Sequence, residues 1–291
     1  MNLSELLHDA VGGIEPEDRI DEIRERVASP SRAARPWWYA AGGVVLATAA
    51  AVTAFAVLGD DGGTEREHHH VATAPETFLV PAYFLGDTPR GERLFREFDE
   101  VTGSDALQAA LDRIERPAAD PDYRTPWTST SFGEVMVMDG VIHVELRDAD
   151  LGDDLAVQQV VRTLQGALQE PLPVRIGEAT YEARPELDVL SHVSISDPTE
   201  GAAYQGALVA RGRAWSFEAT VPWAIRDEDG TVVREGSAQA RTSDRMSPWE
   251  VRIDLAGLPA GFYTFEARTD DPTGGAEGPG PDVDTRTIIV R

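Results

Sequence analysis

Residues 215–225 read WSFEATVPWAI. Trp215, Phe217, Ala219, Val221, Trp223 and Ile225 are apolar at every second position, with Ser216, Glu218 and Thr220 between the first four. Successive strand side chains point to opposite faces, so this period predicts one long strand with a single buried side. DEDG at 227–230 ends it in a turn. Downstream, Trp249, Val251, Ile253 and Leu255 alternate with Glu250, Arg252 and Asp254, and GFYTFEAR (261–268) and TRTIIV (285–290) complete the set. No helical period appears after about Leu187. Strands of this spacing, joined by Gly- and Pro-containing turns, predict an all-β sandwich over 187–291.

Working upstream, 76–186 mixes two periods. TFLVPAYFL (77–85) is apolar enough for a buried strand, although Pro81 restricts it to an edge or a bulged position. From Ser104 to Arg116, Leu107, Ala110, Leu111 and Ile114 share one helical face, with Ser104 placed to cap it. EVMVMDGVIHVEL (134–146) reads as two short strands around Asp139-Gly140, the residue types a tight primed turn requires. A second helix opens near Asp154 and carries Val157, Val160, Val161, Leu164 and Leu168 on one face. LPVRI (172–176) and ATYEAR (179–184) return as strands. The order β-α-β-β-α-β-β predicts a small mixed α+β domain.

Further upstream, Trp37 to Leu58 carries no charge. Its 22 positions would span about 33 Å as a helix, enough for a hydrocarbon core of about 30 Å. Trp37, Trp38 and Tyr39 suit the headgroup layer. Arg24, Arg26, Arg32 and Arg35 precede the segment, and Asp60 and Asp61 follow it. The positive-inside bias predicts a single-pass helix at 37–58 in the cell membrane, with the N-terminus cytoplasmic and everything after Leu58 extracytoplasmic. A cleaved signal peptide would have a shorter basic start and a shorter apolar run. The tail, 1–36, reads as two short amphipathic helices carrying Leu3, Leu6, Leu7, Ala10 and Val11, then Ile20, Ile23 and Val27. Residues 59–75 lack periodicity and read as a flexible linker. His68, His69 and His70 fall in it; consecutive side chains diverge, so the run is not read as a metal site.

Composition narrows the function. Against 51 acidic residues stand 26 basic ones, all Arg, for a net charge of −25. Residues 1–36 carry −3 of this, which leaves −22 in the extracytoplasmic part. Such an excess repels phosphate and excludes nucleic acid as a partner. It is read as a solvated surface; divalent-cation binding is the alternative. The chain has no cysteine, hence no disulfide, thiol nucleophile or Cys-ligated metal.

On the same residues, the chain resembles two known families. The stretch TFLVPAYFL, ALQAALDRI (106–114), TSTSFGEVMVMDGVIHVEL (128–146) and AVQQVVRTLQGALQEPLPVRI (156–176) is similar to the GerM-type (GerMN) sporulation and spore-germination domain. It departs from that family in PAADPDYRTPWTST (117–130), where Gly-rich surroundings are expected. ALVARGRAWSFEATVPWAIRDEDGTVVREGSAQA (207–240) and LPAGFYTFEARTDDPTGGAEGP (258–279) resemble the immunoglobulin-like domain of bacterial spore germination. The resemblance implies an extracytoplasmic binding or assembly module without a catalytic residue set. Many relatives are lipoproteins, whereas this chain has no cysteine to lipidate. The implied partners are envelope proteins or cell-wall components, and self-association of the α/β domain is also implied.

Candidate chemistry is sparse. Ser191, His192 and Asp197 supply the residue types of a triad, but neighbours in a strand point to opposite faces, and no G-x-S-x-G elbow is present. His143 faces away from Ile142 and Val144 and reads as a solvated strand residue. Trp127, Trp215, Trp223 and Trp249 could line a sugar cleft, but the last three sit among aliphatic neighbours and read as core. Asp227, Asp229 and Gly230 resemble the start of a calcium loop whose later ligands are missing. GPGPD (278–282) reads as a loop. No catalytic, cofactor-binding or metal-binding residue is assigned. The expectation is a non-enzymatic, membrane-anchored envelope protein. The alternatives are a cell-wall hydrolase and a transmembrane regulator signalling through the N-terminal tail.

Overall fold

Thirteen-residue strand β1 (Glu76–Thr88) folds back on β2 (Gly91–Gly103) as an antiparallel two-stranded sheet that places Pro81 opposite Phe98. This computed structural model describes residues 76–291, apart from 104, 272, 274 and 275. The tail, the 37–58 segment, the linker with His68–His70, and the Ser104 cap therefore lie outside the described residues. Among those described, no helix is long and apolar enough to cross a membrane.

Strand β2 is absent from the expected order. Its burial runs Leu94, Phe95, Glu97, Val101, which follows no clean alternation, and one of its inward positions is a carboxylate. Glu97 is buried because three donors surround it. Arg113 Nη2 reaches Oε2 at 3.0 Å, and the N–H groups of Ala119 and Asp120 donate at 3.0 and 2.8 Å. A charge satisfied from 16 to 23 residues away leaves no local pattern.

The two expected helices are present. Helix α1 (Ala106–Ile114) is capped by Asp105, whose Oδ1 accepts from the N–H groups of Leu107 (2.8 Å) and Gln108 (3.1 Å). Helix α2 (Asp154–Leu168) is capped by Asp153 and stopped by Gln169 in the left-handed region, φ 61°. It rides close on β1: a Cβ at Gly166 would stand 2.6 Å from Pro81 Cγ. Strands β3 (Phe132–Met138) and β4 (Val141–Leu146) form the expected hairpin, with Asp139 and Gly140 both at positive φ (52° and 74°). Strands β5 (Val174–Ile176) and β6 (Ala179–Tyr181) extend that sheet in the order β3-β4-β5-β6, with β5 parallel to β4 across the α2 crossover. Phe84, Leu111, Ile114, Ile142 and Leu164 are fully buried in the core so formed.

Helical structure does occur past the expected limit. Helix α3 (Glu186–Val189) is a single turn, and a 3-10 turn spans Phe217–Ala219. The latter breaks the long strand expected over 215–225. Glu218 and Ala219 take positive φ (50° and 59°), so β9 (Ala207–Ala214) stops before it and β10 (Thr220–Arg226) starts after it. Side-chain parity holds only on the β10 side. Val221 and Ile225 are fully buried, while Phe217 is 54% exposed.

The remaining strands are β7 (Val193–Asp197), β8 (Ala202–Tyr204), β11 (Val232–Gln239), β12 (Ser247–Asp254), β13 (Gly261–Arg268) and β14 (Val283–Val290). They form a sheet β12-β9-β7 and a sheet β11-β10-β13-β14-β8. One core cluster draws on both, with Val193, Leu208 and Trp249 from the first and Val221, Phe265 and Ile288 from the second. The chain is thus mostly β, with an immunoglobulin-like part. A third cluster joins Tyr83, Leu85 and Leu94 to Val189 and Leu190, and all the described residues lie within a single compact unit.

Candidate functional site

On β14 the inward face carries charge before it carries hydrocarbon. Asp284, Arg286, Ile288 and Val290 alternate on the buried side, and Asp282 just before the strand is buried as well. Arg286 projects into the loop that follows α1. Its Nη1 reaches Asp120 Oδ2 at 2.5 Å, Asp284 Oδ1 at 2.8 Å and the Tyr123 hydroxyl at 2.9 Å, and its Nη2 donates to Ile195 O at 3.1 Å. The Tyr123 hydroxyl donates to Asp284, whose other oxygen accepts from the Ile195 N–H at 2.6 Å. Thr285 adds a bond to Asp122 at 2.9 Å. Two buried carboxylates share one guanidinium, so the cluster is short of positive charge. Burial pushes the Asp120 carboxyl up to about 7 against the pull of Arg286, and it also raises the Asp284 carboxyl and the Tyr123 hydroxyl.

A second polar group lies at Asp282. Arg90 pairs with its carboxylate, the His192 N–H donates to Oδ2 at 2.8 Å, and Ser191 Oγ donates to the same oxygen at 3.3 Å. The His192 ring stands edge-on to Trp215, with centroids 4.6 Å apart, and its Nε2 faces Arg90. Burial, with the Arg90 charge, lowers the imidazole from its ordinary value. Ser191 and His192 thus do meet an aspartate, but it is Asp282 rather than Asp197. The Ser191 hydroxyl is wholly buried and bonds the carboxylate directly, so the order of a nucleophilic triad is absent. Asp197 stands apart, 3.5 Å from Arg211.

The other sequence candidates are dispersed. His143 is half-buried on β4, opposite Met136. Trp127 and Trp249 are core, and Trp223 is half-buried against the sandwich core. Trp215 departs from expectation: it is 36% exposed because the 3-10 turn releases it from the strand register. Asp227 serves the β10–β11 turn, its Oδ1 accepting from Asp229 N (3.1 Å) and Thr231 N (2.8 Å). Residues 278–282 lead as a loop into β14. Among the described residues no group of three or more His, Asp or Glu side chains could hold a metal ion. Asp282, Asp284 and Arg286 are the residues that sequence reasoning passed over. The signal was their phase, two acids and a base in register with the buried Ile288 and Val290.

The outer surface offers a different feature. Strand β3 is the edge of its sheet, paired only with β4. Met136, Val137 and Met138 are consecutive on it and 48%, 46% and 50% exposed, so both of its faces are open beside the Asp139-Gly140 turn. A sheet edge presents unpaired N–H and C=O groups to any strand that can align with it.

Residues 192–276 match the model of the Gmad2 family, the immunoglobulin-like domain of bacterial spore germination. No curated protein matches the chain in sequence. Among solved structures, CopC from Methylosinus trichosporium OB3b aligns at 19% identity and a TM-score of 0.24, over 34% of this chain and 93% of its own. The tandem GerMN domains of the sporulation protein GerM from Bacillus subtilis align at 14% identity and a TM-score of 0.31, over 43% of this chain and 49% of theirs.

Proposed function

We propose that the chain is a non-enzymatic, membrane-anchored binding or assembly protein of the bacterial cell envelope, of the sporulation and germination type. Residues 37–58 would hold it in the membrane with the N-terminus inside. The match of 192–276 to a spore-germination immunoglobulin-like family supports the setting. The observation that carries the binding role is the β3 edge, where Met136, Val137 and Met138 stand exposed on an open strand. Strand addition there gives affinity through main-chain bonds, and the alternating side chains give selectivity. The partner is an envelope protein with an extended apolar segment.

The test is a set of edge-blocking variants in the full-length chain. Met136→Lys with Met138→Lys leaves the β3–β4 hairpin able to form but places charge on the edge. The expected result is a folded protein, by circular dichroism, that fails to restore envelope function in a deletion strain. A double variant that restores function as well as the wild type contradicts the reading.

A further inference from the structure

We propose that Met136 and Met138 are a modification site, oxidised by peroxides to methionine sulfoxide and restored by thiol-dependent reduction, that switches the β3 edge off. The inference rests on that edge being the docking strand. In the β3–β4 register Met136 stands opposite His143 and Met138 opposite Val141, whereas Val135 and Val137 pair with the buried Val144 and Ile142. Directly opposed residues share a face of the sheet and alternate ones do not, so both thioethers lie together on the outer face. They are 48% and 50% exposed, and among the described residues no strand covers that edge.

Sulfur elsewhere is scarce. The chain has four methionines and no cysteine. Met246 is the one other methionine among the described residues, and it is 4% exposed. Accessible sulfur among these residues is thus gathered on the strand that is open to a partner. Such a thioether reacts with hydrogen peroxide directly. Its lone pair attacks one peroxide oxygen, the O–O bond breaks as an S–O bond forms, and the displaced hydroxide takes the proton and leaves as water. Sulfur gives up two electrons and the peroxide accepts them. The product is a polar sulfoxide in place of an apolar side chain, a change that disrupts methionine-lined interfaces. A strand added at the edge would then bury S–O groups against its own apolar side chains, which weakens association by about tenfold for each. The N–H and C=O groups of β3 are unaltered, so the hairpin keeps its fold.

Hydrogen peroxide is the probe, and the full-length protein is used throughout. In the purified protein, peptide mass spectrometry should find oxygen added at Met136 and Met138 about tenfold faster than at Met246, with an unchanged circular dichroism spectrum. A methionine sulfoxide reductase supplied with a thiol should remove both oxygens. In living cells, a cleavable photo-reactive group at Glu134, exposed on the same strand, captures the partner. A peroxide dose should lower the captured yield by about tenfold, and the molecules still captured should carry less sulfoxide at Met136 and Met138 than uncaptured ones. An unchanged yield, or equal sulfoxide in the two fractions, overturns the switch and leaves edge docking standing. No captured protein in untreated cells removes the docking reading and the switch together. Oxidation of Met246 as fast as of the other two, or loss of the circular dichroism signal, also overturns the proposal.

Discussion

Arg286 and Asp120 meet at 2.5 Å across 166 residues of chain, and both side chains are almost wholly buried. The pair ties the last strand of the sandwich to the loop after α1, and with Tyr123 and Asp284 it forms a single buried polar cluster. Ion pairs of this kind contribute less by their attraction than they cost when one partner is removed.

Arg286→Met is therefore expected to destabilise the chain by about 3–5 kcal/mol, because Asp120 and Asp284 then lose their shared cation in a buried setting. Denaturant unfolding of the full-length protein measures this. A change within about 0.5 kcal/mol, the scale of an ordinary surface substitution, would show that the cluster is not buried as described.

The same cluster sets a pH dependence. The Asp120 carboxyl titrates near 7 in the folded chain and near 3.9 when unfolded, so the folded state binds the extra proton between those values. Its contribution is fully present below about pH 4 and is lost as pH rises through about 7. The raised carboxyls of Asp197 and Asp284 act in the same direction. Asp120→Asn should flatten the decline between pH 4 and 7, as read from unfolding midpoints against pH. A slope equal to that of the wild type would exclude Asp120 as its source.

Gly212 allows β9 to lie between its two neighbours. A Cβ there would sit 1.9 Å from Ser194 O and 2.8 Å from the Trp249 ring. Gly212→Ala is expected to cost about 1–3 kcal/mol by overpacking. Thermal unfolding reads the loss, and tryptophan emission should shift as Trp249 is displaced. An unchanged melting temperature would contradict this packing.

How far the sequence alone could be read depends on where each residue finds its partner. The β3–β4 hairpin and both long helices were legible because their signals are local: Asp139-Gly140 at a primed turn, and Val157, Val160, Val161 and Leu164 on one helical face. Strand β2 was not, because Glu97 is buried against Arg113 and the loop beyond it. The break at Phe217–Ala219 was hidden for a related reason. An alternating pattern carries through a turn unchanged, and nothing in FEA announces the positive φ of Glu218 and Ala219. The polar cluster could have been anticipated in part from the phase of Asp284 and Arg286. Its other half, Asp120 and Tyr123, comes from a segment with no period. The exposed β3 edge was readable as a strand, but its edge position follows from the strand order β3-β4-β5-β6, which only the fold supplies.

The most direct test of the binding role is site-specific photo-crosslinking of the full-length protein in living cells, with the reactive group placed at Met138 on the β3 edge or at Asp229 in the exposed β10–β11 turn. The account predicts a discrete crosslinked envelope protein from position 138, absent from position 229 and lost when Met136→Lys is added. No crosslink at 138, or the same products from both positions, would contradict it.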